Sequence, residues 1–174
     1  QNENQIFKSV WNIFMRVKSL PKSTRSKMPA SADDINYDSS YYENYNGKAY
    51  GRTTEWLSFF DKISKKITEL LAPQTVLDLG CAYGLLVETL RDRGVQAFGL
   101  DISEYAINQA REDLKDFLRV GSMLEPIKGR YDLIISIEVI EHIEEKHSDA
   151  VIHNMCTASD QILLATTPDD FDDP

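Results

Sequence analysis

Two short apolar runs, each carrying an acid at its end, constrain this fold more than any other feature. The first reads TVLDL and places Asp78 beside a turn that contains Gly80 and Gly84. Glycines there let the backbone turn tightly and approach a ligand without a Cβ in the way. A helical apolar pattern follows, and residues 95–100 then lead to Asp101, 21 residues after Gly80. This order predicts a βαβ unit whose two acids reach the same edge of a parallel sheet.

The acids and the glycine spacing indicate which ligand this edge suits. A carboxylate at Asp101 can accept hydrogen bonds from both hydroxyls of a ribose. A dinucleotide site requires G-x-G-x-x-G, whereas the spacing here is G-x-x-x-G with Asp78 two residues before the first glycine. A carboxylate there would repel a pyrophosphate and favours a ligand with a cationic amino group. S-adenosylmethionine fits, because it carries an ammonium, a sulfonium and a ribose but no phosphate.

The stretch from about residue 37 to residue 174 resembles the class I, Rossmann-like S-adenosylmethionine-dependent methyltransferases of bacterial small-molecule type. The segment DLGCAYG resembles the family's first motif, with Ala82 in place of its middle glycine. Ser122 stands where the family usually has an acid that contacts the adenine amino group. The resemblance implies that the cofactor, S-adenosylmethionine, is bound by Asp78, Gly80, Cys81, Ala82, Gly84, Asp101, Ile102, Ser122, Met123 and Glu138.

The resemblance also implies an α/β fold, a Rossmann-like methyltransferase sheet with helices on both faces. The family's sheet has seven strands in the order 3-2-1-4-5-7-6, and this sequence supplies patterns for five. We therefore expect a methyltransferase domain over residues 36–174 that is C-terminally incomplete. Residues 53–71, 103–117 and 147–157 are predicted helices. The fifth strand, residues 161–166, is predicted to be an apolar edge through which the chain self-associates.

An aromatic segment precedes the first predicted core helix. Residues 37–51 read YDSSYYENYNGKAYG and contain five tyrosines, whose hydroxyls all require partners. In the family such a segment often folds over the cofactor, so Tyr42, Tyr50 and Arg52 are candidate cofactor-binding residues, with Tyr37 beside them. Arg52 could hold the methionine carboxylate of the cofactor in a bidentate pair. The alternative is a surface loop with aromatic anchors.

The string EVIEHI follows the fourth predicted strand and carries the candidate catalytic group. His142 is predicted to act as a base for the acceptor, because its ordinary pKa lies near neutrality. The alternative is a structural histidine that bonds to backbone. Glu138 is expected to face the cofactor amino group or the aromatic segment that folds over the cofactor. The E-x-x-E-H pattern of Glu138, Glu141 and His142 also resembles the metal site of small-RNA 3′-terminal 2′-O-methyltransferases, but we predict that no metal is bound.

Charge and composition narrow the partners. The net charge of −9 argues against general affinity for DNA or RNA backbone. Residues 1–35 are predicted to form a basic amphipathic helix and a linker, which would pack over the site, on another subunit or on a membrane surface. The sequence contains no membrane-spanning run or secretory signal, and its two cysteines lack metal-ligand spacing, so we expect a cytoplasmic location.

The functional prediction is therefore a methyltransferase that moves a methyl group to oxygen, nitrogen or carbon of a small-molecule acceptor. Two alternatives stay open at this point. One is a metal-assisted RNA 3′-terminal 2′-O-methyltransferase, and the other is an inactive cofactor-binding module.

Overall fold

The computed structural model describes residues 37–43 and 49–166. The helix and linker predicted over residues 1–35 lie outside these ranges. The strands are β1 (Thr75–Leu79), β2 (Gln96–Asp101), β3 (Leu118–Val120), β4 (Leu133–Ile137) and β5 (Ile162–Ala165). The α-helices of the described part are α1 (Ser39–Glu43), α2 (Thr54–Leu70), α3 (Leu85–Arg91), α4 (Glu104–Asn108) and α5 (Glu145–Ala158). Two 3₁₀ helices cover Glu112–Phe117 and Ile140–His142.

The five strands form one sheet in the order β3-β2-β1-β4-β5. Every neighbouring pair is parallel, and Leu77 of β1 lies opposite both Phe98 of β2 and Ile134 of β4. The predicted order of the first five strands is confirmed. Because the chain reverses its direction of travel across the sheet at β1, a crevice opens outside the carboxyl ends of β1 and β4, which is where ligands bind in open α/β sheets.

Helices cover both faces of the sheet, because successive side chains of a strand point to opposite faces. One core contains Val76 and Ile135 with side chains of α2 and α3. The other contains Leu77 and Ile134 with side chains of α5. The strands read as nearly continuous apolar runs, as expected for a parallel sheet buried on both sides.

Helix α2 shows how local sequence sets an element's bounds. Thr53 caps it by accepting a hydrogen bond from the Trp56 N–H at 3.3 Å, and Ile63 and Ile67 are each 5% exposed against the core. Pro73 follows the helix end. The prediction of a helix over residues 53–71 is confirmed to within one residue at each end. In residues 37–43 and 49–166 no helix has the length and apolar character needed to cross a membrane.

The continuous helix predicted over residues 103–117 is wrong. Helix α4 ends at Asn108, and a separate 3₁₀ helix begins at Glu112, because Arg111 adopts an extended conformation with φ −54° and ψ 134°. The guanidinium of Arg111 binds Glu88 at 3.0 Å and Asp92 at 3.0 Å, so a tertiary ion-pair network holds the break. The residues Ala106, Ile107, Ala110 and Leu114 are nevertheless all buried.

Strand β5 pairs with β4 along one side. Within the described residues no strand lies on its other side, and Leu164 is 43% exposed. Self-association through β5 stays a prediction.

Candidate active site

The turn after β1 is held in a left-handed backbone conformation. The φ angles are 76° at Gly80, 47° at Ala82 and 69° at Gly84. The N–H groups of Gly80 and Cys81 both donate to the Leu100 carbonyl, at 2.8 and 3.2 Å. The turn is therefore anchored on the end of β2.

Close packing beneath the turn depends on two glycines, because a side chain at either position would overlap a neighbour. A Cβ on Gly80 would overlap both methyl groups of Val139, the more distant of which, Cγ1, would lie 2.7 Å away. A Cβ on Gly99 would lie 2.6 Å from the Cys81 Sγ, which is buried at 4% exposure. The sequence pattern indicated Gly80 but not Val139 or Gly99, because nothing local shows that these two residues pack against the turn.

Asp101 connects the turn to the next helix. Its Oδ2 accepts from the Ala82 N–H at 2.7 Å and its Oδ1 from the Ser103 N–H at 2.8 Å. Burial raises the pKa of Asp101, and the two N–H donors act in the opposite direction. Each carboxylate oxygen keeps a further lone pair, so Asp101 can still accept from a hydroxyl pair at the crevice.

Asp78 is the more deeply buried acid, at 5% exposure. Burial, and then the charge of Asp101, raises the pKa of Asp78 to about 7. A strongly shifted carboxyl beside a cleft is typical of functional sites. A cation placed next to Asp78 would remove much of this cost, because it favours the charged form.

Ala82 is strained, since residues other than glycine rarely adopt positive φ. We expect Ala82→Gly to stabilise the fold by about 0.5–1 kcal/mol, because relief of the left-handed strain exceeds the added chain entropy of glycine. Ala72 provides a matched control, since it has φ 45° outside the turn. Ala72→Gly should raise the thermal midpoint similarly. A lower midpoint for Ala82→Gly alone would contradict the strain at this position.

Tyrosines build the wall above the turn. Tyr42 is 5% exposed, and its ring centroid lies 5.0 Å from Tyr83 and 6.0 Å from Tyr50. The Tyr50 N–H donates to the Tyr42 carbonyl at 2.7 Å. The structure thus brings the predicted Tyr42 and Tyr50 together over the turn, and adds Tyr83, which lies within the turn itself.

Arg52 has a different partner from the predicted one. Its Nε and Nη2 bind the two carboxylate oxygens of Glu88 at 3.0 and 2.7 Å, and Arg111 binds the same carboxylate. Glu88 is 2% exposed, and a buried carboxylate requires such paired cations. A contact of Arg52 with a cofactor carboxylate would require it to leave Glu88. This role stays a prediction.

The opposite wall of the crevice follows β4. Glu138 has φ 56°, and its N–H donates to the Ala165 carbonyl at 2.7 Å. The Tyr37 ring lies 6.4 Å from the His142 ring, centroid to centroid. Burial and the charges of Asp101 and Glu141 raise the pKa of Tyr37. Tyr37 therefore stands near both walls, between the end of β2 and the loop after β4.

The remaining predicted residues lie around the ends of β2 and β3. Ile102 is 61% exposed beside Asp101, and Val120 is 53% exposed at the end of β3. The Ser122 Oγ accepts from the Leu124 N–H at 3.2 Å. Met123 is 8% exposed, with its side chain in the core with Leu77, so only its main chain is left for a ligand. An apolar, open surface at this place suits an aromatic base.

Three or more metal-ligating side chains do not converge anywhere in the described ranges. Glu141 instead accepts from the Thr166 hydroxyl at 2.9 Å. Metal independence stays a prediction, to be tested directly.

Residues 49–173 match the family model of the methyltransferase domain. The chain belongs to this methyltransferase-domain family. The match covers the glycine turn, Asp101 and the loop after β4, so the crevice lies inside the family domain.

Curated relatives match over the same region. A ubiquinone biosynthesis O-methyltransferase from Pseudomonas paraeruginosa is 30% identical over 105 residues, covering 55% of this chain and 45% of the relative. A magnesium-protoporphyrin O-methyltransferase from Synechocystis is 28% identical over 96 residues, covering 51% of this chain and 42% of the relative. The chain thus spans less than half the length of these two relatives.

Solved structures support the fold. The magnesium protoporphyrin IX methyltransferase from Synechocystis with bound S-adenosylhomocysteine superposes with a TM-score of 0.57 at 21% identity, covering 66% of this chain and 57% of that one. A Streptomyces venezuelae protein, DesVI, gives a TM-score of 0.56 at 17% identity, covering 67% and 53%. At these identities the likeness shows a Rossmann-like methyltransferase fold.

Proposed function

We propose that the methyltransferase domain binds S-adenosylmethionine and transfers its methyl group to a small-molecule acceptor. The observation that carries the proposal is the pair of buried acids at the switch point, Asp78 and Asp101, joined by a left-handed glycine turn. Two curated relatives are O-methyltransferases, so hydroxyl compounds are the first acceptors to test.

The described residues offer partners for the ribose, the ammonium and the adenine of this cofactor. Asp101 would accept from the ribose hydroxyls, and Asp78 would face the ammonium. Exposed Ile102 and the main chain at Ser122 and Met123 would flank the adenine. Tyr42 and Tyr50 would cover the crevice from above.

The cofactor supplies an electrophilic methyl, so the protein's main task is to place the acceptor in line with it. His142 lies on the β4 wall and would take the proton from an acceptor hydroxyl. Glu138, which directly follows β4 on the same wall, would face the amino group of the cofactor or the tyrosine segment above it. This role for His142 requires the acceptor to enter from the β4 side of the crevice.

We place the reaction in the cytoplasm, with no DNA or RNA partner. Cys81 and Cys156 are both free, which fits a reducing compartment, and the net charge of −9 opposes binding to a polyanion.

Calorimetry with S-adenosylhomocysteine, followed by a radiolabelled methyl-transfer assay on a panel of phenols and catechols, tests the proposal. We expect binding that EDTA leaves unchanged and transfer to at least one member. Failure of the wild-type chain to bind S-adenosylhomocysteine would overturn it. Transfer only to RNA 3′ ends, dependent on Mg²⁺ or Mn²⁺, would replace it with the RNA reading. Binding without transfer to any acceptor would favour a cofactor-binding module.

The raised pKa of Asp78 predicts a pH-dependent affinity. At pH 5.5 the ligand-free Asp78 is mostly protonated, since its pKa is about 7. An ammonium beside it favours the carboxylate, so binding releases a proton, and affinity for S-adenosylhomocysteine should fall roughly 20-fold from pH 7.5 to pH 5.5. Asp78→Asn should bind more weakly at pH 7.5 but lose this dependence. An equal slope in the variant would assign the titration to another group.

The raised pKa of Asp78 also makes folding stability depend on pH, and stability changes in the opposite direction to cofactor affinity. Because the folded-state pKa of Asp78 lies above its unfolded value, its contribution to the free energy of unfolding is largest at low pH. That contribution is lost as the pH rises from about 4 to about 7.

A further inference from the structure

Ser103 makes contacts in three directions and is only 5% exposed. Its N–H donates to Asp101 Oδ1 at 2.8 Å. Its hydroxyl oxygen caps α4 by accepting from the Ala106 N–H at 3.0 Å. The hydroxyl proton goes to the Tyr37 carbonyl, with 2.5 Å between the oxygens.

The Ser103 hydroxyl thus both donates and accepts. Its one proton goes to the Tyr37 carbonyl, and one of its two lone pairs accepts from the Ala106 N–H. Two partners on different segments therefore depend on this one side-chain oxygen.

The segment held by Ser103, residues 37–43, cannot define its own position. Helix α1 has five residues, far fewer than an isolated helix needs for stability in water. Its Tyr42 N–H meets the Asp38 carbonyl at a long 3.4 Å. Tertiary contacts must place it, and these include the tyrosine cluster around Tyr42, the bond from the Tyr50 N–H to the Tyr42 carbonyl and the bond from Ser103 to the Tyr37 carbonyl.

Tyr37 reaches both walls of the crevice. Its carbonyl is tied through Ser103 to the β2 wall, beside the acid expected to bind ribose. The Tyr37 ring reaches the β4 wall, 6.4 Å from the ring of His142. A shift of the Tyr37 main chain would therefore move the ring that borders the predicted acceptor base.

We propose that Ser103 is a positioning residue that latches residues 37–43 across the crevice and so sets where Tyr37 stands on the acceptor side. The inference rests on the proposed function for its catalytic consequence, but the latch itself does not depend on it. Ser103 holds the β2 acid through its N–H and the segment that covers the acceptor entrance through its hydroxyl, so the cofactor and acceptor halves of the site share one residue.

Hydrogen exchange on the ligand-free chain tests the latch. In Ser103→Ala we expect the amides of Tyr41, Tyr42 and Glu43 to exchange about three- to tenfold faster, as loss of one buried hydrogen bond implies. Ser103→Thr, which keeps the hydroxyl, should restore the wild-type rate. Thr53→Ala is the matched control, because Thr53 caps α2 through the Trp56 N–H; it should destabilise the fold while leaving exchange in residues 41–43 unchanged.

If Ser103→Ala does not fold, Ser103→Gly takes its place, since glycine costs little at an N-cap and also removes the hydroxyl that bonds the Tyr37 carbonyl. Unchanged exchange in residues 41–43 for the folded variant would overturn the latch. In turnover assays, Ser103→Ala should raise the KM for the acceptor several-fold more than the Kd for S-adenosylhomocysteine, and Ser103→Thr should reverse the change. An equal loss on both would assign Ser103 to cofactor binding alone. Wild-type binding of S-adenosylhomocysteine tests the proposed function separately.

Discussion

Replacing Asp101 by alanine is expected to weaken binding of S-adenosylhomocysteine by about 2–4 kcal/mol, or roughly 30- to 1000-fold. The variant loses the charge-assisted bonds to the ribose hydroxyls. It also leaves the Ala82 N–H, which donates to Asp101 Oδ2 at 2.7 Å, without its acceptor, so the turn loses one of its ties to β2. Isothermal titration of wild type and variant measures the change.

Asp132 offers a matched control for this experiment. Its carboxylate accepts from the N–H groups of Gln74 and Thr75 at 2.9 and 2.8 Å, at the opposite end of the sheet from the crevice. Asp132→Ala should lower stability and leave the dissociation constant unchanged. If Asp101→Ala binds as tightly as wild type, the ribose assignment is wrong.

Gly80→Val is expected to abolish binding of S-adenosylhomocysteine while far-UV circular dichroism stays near wild type. Valine is strongly disfavoured at φ 76°, and its Cβ would overlap the Val139 methyls. The turn must then move away from the β4 wall, and it moves into the space that the ligand needs. Loss of more than about 100-fold in affinity follows if the displacement costs about 3 kcal/mol or more.

Gly94 separates backbone strain from the local clash. It has φ 85° with open space where a Cβ would stand, and it precedes β2 at the end remote from the crevice. Gly94→Val should cost stability and keep full affinity. Normal binding by Gly80→Val would remove the close-packing argument for the turn.

The sequence predicted the parts of this fold that local pattern determines. The run TVLDL matches β1 residue for residue, because a buried parallel strand is apolar throughout and ends at a glycine turn. The predicted second and fifth strands each agree with β2 and β5 to within one residue at either end. Asp78, Gly80 and Asp101 could be placed at one sheet edge, because parallel strands bring their carboxyl ends together.

Features that arise from long-range contacts could not be predicted. The ion pair of Arg52 with Glu88, 36 residues later, is one example, because no local pattern reveals that Glu88 is buried and needs a cation. The break at Arg111 has the same origin, since its helical neighbours gave no stop signal. Ser103 carried a signal that could have been used, because a serine directly before an apolar helical pattern is a typical N-cap. No local sequence signal indicated that Ser103 would also bond to the Tyr37 carbonyl.

The packing of Cys81 against Gly99 also fixes the thiol chemistry of the molecule. Cys156 is exposed and Cys81 is buried, and burial raises the pKa of the Cys81 thiol, so a thiol reagent at neutral pH should modify the first and spare the second. A dye can therefore be attached at one site without mutagenesis. The slow rate at which the reagent modifies Cys81 would then report how often the turn opens locally. A bound ligand should make this modification slower.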